Sequence, residues 1–427
     1  MCRIFAVPLQ PNSYLYYTMA AKSLVIAFAI ALSAQFACGG DAASTHNGKC
    51  CGKCHNTAAT EVTVGAARVN EYIPMLKGKR VALFSNHTGM VGDRHTLDIL
   101  IDNGVNVVKI FSPEHGFRGT ADAGERVSSS VDERTGVAIY SLYGKTRFPD
   151  EATMRGIDVI VSDIQDVGLR FYTYYCTMID LMNTAVKYGK RFIVLDRPNP
   201  NGMTVDGPIL DMKYASGVGR LPIPVVHGLT LGEMALMANG EGWLDGGKKT
   251  DLKVVKCEGY THATRYKLPI APSPNLPTMK AVYLYPSICY FEATPISLGR
   301  GTEAPFTRYG HPDFRDYDFK FTPHPTAGAK NPPLNGQLCK GHDLSDLDDE
   351  AIIAKGINLD YLIDAYRQLN IGDRFFTSFF EKLIGRGDIR TMIEQGRTAD
   401  EIKATWADDV ARFRQQRKPY LLYEDVR

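Results

Sequence analysis

The sequence has 427 residues, 44% of them hydrophobic and 22% charged, with a formal net charge of +2. The length suits two domains after processing, and the composition is that of an ordinary globular protein able to bury a sizeable core. The near-neutral balance excludes a basic footprint for nucleic acid.

The chain opens on a targeting pattern. Lys22 precedes an apolar run from Leu24 to Leu32, followed by small residues and Cys38. The run is too short to span a bilayer and reads as an export signal. Met19 lies just before it, so residues 1–18 are an overlong start or an extended n-region. Ala37-Cys38-Gly39-Gly40 resembles a bacterial lipoprotein cleavage site, although Gln35-Phe36 departs from the usual aliphatic-then-small pair. The expectation is a signal segment over 1–38 and an exported, periplasmic or outer-membrane-associated lipoprotein anchored through Cys38; plain signal cleavage is the alternative.

Residues 39–60 read as a Cys-containing linker. Within it Cys51-Gly-Lys-Cys54-His55 matches the attachment pattern of c-type haem, but the stretch is polar and offers no pocket for a macrocycle. A local disulfide or a loose metal contact involving Cys50, Cys51 or Cys54 fits better. Cys176, Cys257, Cys289 and Cys339 show no framework spacing and read as small buried hydrophobes.

From residue 61 onward strand and helix signals alternate. Short apolar runs predict strands at 80–86, 107–112, 137–142, 157–163 and 191–196. A helix follows the first, with Leu97, Leu100 and Ile101 on one face and Gly104 as its stop; another spans 174–188 and ends at Gly189. Near-continuous apolar strands separated by helices imply a parallel sheet covered on both faces. The predicted fold is therefore α/β: a Rossmann-like doubly wound domain over 61–270. Pro269, Pro272, Pro274 and Pro277 then break the texture, and residues 271–427 read as a smaller α+β domain with helices near 358–369, 389–396 and 399–417.

Polar residues gather where these strands end. The first runs into Asn86-His87-Thr88, the second into Pro113-Glu114-His115-Gly116-Phe117-Arg118. The fourth runs into Asp163-Ile-Gln165-Asp166-Val-Gly-Leu-Arg170-Phe-Tyr172, the fifth into Asp196-Arg197-Pro-Asn199. In a parallel open sheet these carboxyl ends face one crevice, where ligands bind. Glu114, fixed in a Gly-punctuated loop, is the leading general-acid candidate, since a poor leaving group needs a proton from a carboxyl held neutral. Asp163 and Asp166 are the next carboxylates; either could orient water, stabilise developing charge or hold a hydroxyl, and either could instead pair with Arg170. Gly299-Arg300-Gly301-Thr302-Glu303 reads as a binding loop reaching back to the crevice, with an Arg300–Glu303 ion pair as the alternative. Thr230 and Glu233 form a capping box, so Glu233 is structural.

His87, His115 and His227 prompt the question of a metal. No H-E-x-x-H occurs and no helix sets two His at i, i+4, so no catalytic metal is expected. The first strand is followed by no G-x-G-x-x-G, so no nicotinamide cofactor is expected either, and no G-x-S-x-G marks a serine hydrolase.

Ser85-Asn-His-Thr-Gly89, Ser112-Pro-Glu-His-Gly-Phe-Arg-Gly119, Asp163 to Tyr172, Asp196-Arg-Pro-Asn-Pro200 and Gly299-Arg-Gly-Thr-Glu303 together resemble the signature segments of the NamZ-type family, from about residue 62 to the C-terminus. That resemblance implies an exo-acting β-N-acetylmuramidase releasing N-acetylmuramic acid from the non-reducing end of peptidoglycan disaccharides or muropeptides. It also implies a cleft between the two domains and a catalytic glutamate at Glu114. Asn86, His87, His115, Arg118, Gln165, Arg170, Tyr172, Asp196, Arg197, Asn199, His227, Arg300 and Glu303 would line the substrate. Discriminating the lactyl carboxylate calls for a guanidinium, with Arg300 favoured over Arg118 and Arg170. A non-catalytic muropeptide-binding protein on the same fold is the alternative.

Overall fold

The computed structural model of the chain describes residues 61–113, Phe117, 130–142 and 148–426. Cys38 and the Cys51, Cys54, His55 cluster lie outside the described residues, as do Glu114, His115 and Arg118.

A seven-stranded sheet organises the first part. Its strands are β1 (Arg80–Ser85), β4 (Asn106–Ser112), β5 (Ser130–Val131), β6 (Ala138–Ser141), β7 (Val159–Asp163), β8 (Arg191–Leu195) and β9 (Asp251–Val255); β2 (Met90–Val91) and β3 (Arg94–His95) form a separate hairpin. The order is β5-β6-β4-β1-β7-β8-β9, parallel throughout except where β5 meets β6. The chain winds outward from β1 to one edge, then returns to the other side of β1 at β7. That reversal is the topological switch point of a doubly wound sheet.

Both faces of the central strands are buried because the alternating side chains feed two separate clusters. Ala82, Phe84, Ile160, Phe192 and Val194 point to one face, Val81, Leu83, Val159, Val161 and Ile193 to the other. The first face is covered by α4 (Tyr174–Tyr188) and α5 (Leu231–Gly240), the second by α1 (Val69–Leu76) and α2 (Thr96–Asp102). Each large side chain so enclosed contributes about 1.5–3 kcal/mol. A short α3 (Glu151–Met154) precedes β7. In α2 it is Leu97, Ile99 and Leu100 that are buried, whereas Ile101 is exposed, so the apolar face lies one position away from the predicted one. Helix α4 has the predicted bounds, and Gly189 ends it in the left-handed region at φ 60°.

The later residues form a smaller part: a three-stranded antiparallel sheet in the order β10-β12-β11 (Arg308–His311, Cys339–Asp343, Phe319–Phe321) with α6 (Met279–Ile288), α7 (Asp349–Lys355), α8 (Asp360–Leu369), α9 (Phe379–Ile384) and α10 (Asp388–Glu394). The predicted helix over 399–417 is two, α11 (Ala399–Ala404) and α12 (Ala407–Arg417). The break falls at Trp406, whose indole is buried and donates to Asp206 Oδ1 at 3.0 Å. One hydrophobic cluster runs from Ala82 to Phe413, so the two parts share a core. Cys176, Cys257, Cys289 and Cys339 are buried free thiols, as expected.

Candidate active site

At the switch point Ser85 pairs in register with Asp163, so the loops leaving β1 and β7 start side by side. The β1 loop is folded by Asn86, whose Oδ1 accepts from the Thr88 amide at 2.9 Å and the Thr88 hydroxyl at 2.6 Å. The Gln165 amide donates to Thr88 Oγ1 at 3.0 Å and joins the two loops. His95 closes the base: its Nδ1 accepts from the Leu97 amide at 3.0 Å, which leaves Nε2 to donate to Asn86 O at 2.8 Å.

Most of the residues expected to meet substrate are committed to holding these loops. Asp163 is fully buried and receives Arg197 on both oxygens, at 2.6 and 2.9 Å, together with the Thr96 hydroxyl. Its partner is therefore Arg197 and not Arg170. Asp196 accepts from Thr230 Oγ1 and the Tyr423 hydroxyl, each at 2.7 Å, and from the Gly232 amide at 2.8 Å. Burial still pushes it up to about 6. Gln165 Nε2 donates to the carbonyls of Asp166 and Pro198; Asn199 links Leu229 O to the Asn201 amide. Glu233 completes the capping box of α5 and accepts from His262 and the Leu422 amide, which confirms it as structural.

Arg170 departs furthest from expectation. It is fully buried, and its terminal nitrogens donate to the carbonyls of Pro208, Ile223, Leu383 and Ile384. A guanidinium spent on four carbonyls has no fork left for a carboxylate, so Arg170 stitches the first part of the chain to the last. The alternative Arg300–Glu303 pair does not form: Arg300 pairs with Glu292 at 2.6 Å, and Glu303 with Arg308 at 2.7 Å. Glu303 is an exposed carboxylate, 79% accessible.

Two side chains hold the Pro-rich connector against the crevice. His87 Nε2 lies 2.9 Å from Ala271 O, and the Tyr172 hydroxyl donates to Pro272 O at 2.8 Å. Tyr172 packs edge-on against Tyr285, Tyr285 against Phe306, and the Arg300 guanidinium lies over the Phe306 ring at 5.1 Å. This aromatic layer links Arg300 to Tyr172 through Phe306 and Tyr285.

Asp166 and His227 stand apart in their electrostatics. Burial raises Asp166 from 3.8 to about 7, and the amide dipoles of Gly168, Val167 and Tyr175 offset only part of that rise. His227 is fully buried; desolvation first, then the charges of Arg417 and Arg170, lower it to about 3. Its Nδ1 accepts from the Leu229 amide at 3.1 Å, so the neutral ring carries its proton on Nε2. Among the described residues no group of three or more His, Cys, Asp or Glu is placed to hold a metal ion.

The sequence patterns missed three members of this framework. Tyr423, Thr96 and Thr230 lie 227, 67 and 34 residues from the aspartates they donate to, at the ends of β7 and β8. Only the N-terminal positions of Thr96 and Thr230 on α2 and α5 signalled a polar contact there.

Comparison with known proteins agrees along the whole globular region. The family models described as exo-β-N-acetylmuramidase NamZ, N-terminal and C-terminal, match residues 81–280 and 283–423. The peptidoglycan β-N-acetylmuramidase NamZ of Bacillus subtilis (strain 168) is 40% identical over 375 residues, 83% of this chain and 89% of that protein. Two crystal structures of DUF1343 family proteins from Bacteroides fragilis NCTC 9343 share the fold. One has a TM-score of 0.81 at 60% identity, covering 86% of this chain and 100% of that one. The other has a TM-score of 0.74 at 30% identity, covering 85% and 99%. The chain belongs to the NamZ exo-β-N-acetylmuramidase family.

Proposed function

We propose that this protein is an exo-β-N-acetylmuramidase that releases N-acetylmuramic acid from the non-reducing end of peptidoglycan-derived disaccharides or muropeptides. The observation that carries this reading is the 40% identity to a peptidoglycan β-N-acetylmuramidase along 83% of the chain. The proposed site is the switch point of the sheet, where ligands of doubly wound folds bind; the loops after β1 and β7 start there side by side, and His87 and Tyr172 bond the connector at Ala271 and Pro272.

Glu114, two residues beyond the end of β4 in the sequence, is the proposed general acid that protonates the leaving oxygen. Asp163 and Arg197 form a buried frame that positions the loops. The proposed lactyl cation is Arg300, whose side chain keeps 18% exposure and lies over the Phe306 ring. The mature protein is proposed to be exported and lipid-anchored through Cys38.

The direct test is release of N-acetylmuramic acid from a defined disaccharide of N-acetylmuramic acid β-linked to N-acetylglucosamine. Binding without release would leave a muropeptide-binding protein on the same fold. For the anchor, a fatty-acid probe should label the wild type and not Cys38→Ser; equal labelling of both would eliminate Cys38 as the site.

A further inference from the structure

Away from the switch point, a cavity of about 510 Å³ lies between α12, the residues that follow α5 and the segment around Leu210. Its volume falls in the ~300–1,000 Å³ range of small-ligand sites. Helix α5 separates it from the strand ends. The N-cap Thr230 bonds Asp196 at the end of β8, at 2.7 Å, and the 10 residues of the helix then run about 15 Å to Gly240. The chain turns at Gly242, φ 71°, and the Trp243 amide donates to Ala238 O at 3.0 Å, which fixes Trp243 at the far end of the helix.

The chain has 2 tryptophans, and the fold uses them differently. Trp406 is fully buried and gives its N–H to Asp206, whereas Trp243 is half-buried, packed on the core and lining the cavity. Helix α12 supplies Asp409, Arg412, Phe413 and Gln416, whose spacing sets them on one face of the helix. Phe413 is buried there, while the Arg412 side chain is 72% exposed. The walls are fixed before any ligand arrives. Gln416 Nε2 and the Tyr420 hydroxyl each donate to Glu241 at 2.7 Å and tie α12 to the end of α5. The Leu210 and Asp211 amides donate to Ile223 O at 3.1 Å and Gly385 O at 2.9 Å and hold the remaining wall.

The charged residues of the lining are Asp211, Arg386, Asp409 and Arg412, which sum to zero. Both guanidiniums are already paired, Arg412 with Asp409 and Arg386 with Asp388. A phosphate or an acidic peptide would call for a surplus cation, which this lining lacks. A sugar suits it better. Each hydroxyl both donates and accepts, so it profits from carboxylates, guanidiniums and an amide set side by side, and its C–H face packs on an aromatic ring. We infer that the Trp243 cavity is a second, non-catalytic glycan site that takes β-linked N-acetylhexosamine units of the chain whose end lies at the switch point. The choice of glycan rests on the activity proposed above. A disaccharide engages one site only, whereas a longer chain engages both, and the second contact raises the effective concentration of its end at the first.

The binding test uses the β-1,4-linked tetrasaccharide of N-acetylglucosamine, which carries no muramic acid to release. It should bind the wild-type chain in calorimetry and shift the tryptophan emission, since Trp406 is buried and Trp243 lines the cavity. Trp243→Ala should weaken that binding by ~10-fold or more, the loss of one stacked aromatic contact. Arg412→Ala should weaken it in the same direction, and its exposed position keeps the fold intact if Trp243→Ala does not fold. Both variants should keep the wild-type kcat/KM on the disaccharide and raise KM on long, stem-free glycan chains by ~10-fold or more. Equal tetrasaccharide affinity in the wild type and Arg412→Ala, or an emission shift produced by free stem peptide and not by the tetrasaccharide, overturns the inference. A matching loss on disaccharide and long chains overturns it too, because the cavity would then act through the switch point. Binding is read without turnover, so a wild type that binds the tetrasaccharide at Trp243 but releases no N-acetylmuramic acid would sink the proposed activity and leave the glycan site standing.

Discussion

Arg197 and Asp163 close a two-pronged ion pair between the ends of β8 and β7, Nε to Oδ1 at 2.6 Å and Nη2 to Oδ2 at 2.9 Å, with side-chain exposures of 4% and 0%. The same guanidinium donates to Met90 O at 3.0 Å in the β2–β3 hairpin, so the pair joins three loops. Removing one member leaves the other charge buried and uncompensated. Asp163→Ala should therefore destabilise the protein by roughly 3–5 kcal/mol in urea unfolding. A change under about 1 kcal/mol would show that the pair does not hold the loops.

Asp166 gives a pH-dependent expectation of the opposite sign. Burial raises the folded carboxyl from 3.8 to about 7, so folding favours its protonated form. That contribution is fully present below about pH 3.8 and is lost as the pH rises through about 7. At about pH 8 the wild type carries a desolvated charge that Asp166→Asn lacks. The variant should be more stable there by about 1–4 kcal/mol and gain nothing at about pH 3.5. Denaturant midpoints measured at both pH values check this; an equal effect at the two would rule out the titration of Asp166 as its cause.

Glu114→Gln should lower kcat by about 10²–10⁴-fold if Glu114 is the general acid, with the thermal midpoint unchanged. Glycosides with a good leaving group, which need little protonation, should recover most of the rate. Retention of more than roughly half the wild-type activity on a natural disaccharide would remove Glu114 from that role.

Arg300 and Arg170 should separate specificity from stability. Arg300→Ala is expected to narrow the preference for muramic over glucosamine glycosides by about tenfold or more, the worth of one charge-assisted contact. An unchanged ratio would reduce Arg300 to the ion partner of Glu292. Arg170→Met strands four buried carbonyls and should cost several kcal/mol without altering the ratio in whatever fraction folds. Paired unfolding and kinetic measurements on the two variants distinguish these outcomes.

The sequence by itself determined what depends on neighbours along the chain. The runs that became β1, β7 and β8 are apolar at consecutive positions because both faces of the sheet are covered, so they declare a parallel sheet without any contact being known. Helix α4 and its glycine stop, and the Thr230–Glu233 capping box, are equally local. Edge strand β9 escaped notice because its burial alternates, so Asp251 to Val255 carries no continuous apolar run. Tertiary structure decided which strand-end polar groups are free. Asp163, Asp166 and Asp196 look alike in sequence, yet Arg197 lies 34 residues from the first and Tyr423 lies 227 from the last. A carboxylate is spent or available according to which donors the fold carries to it, and those donors arrive from elements whose only link to the motif is packing. Asp166 keeps its unpartnered oxygen and its raised proton affinity because the fold brings it amides and burial but no cation.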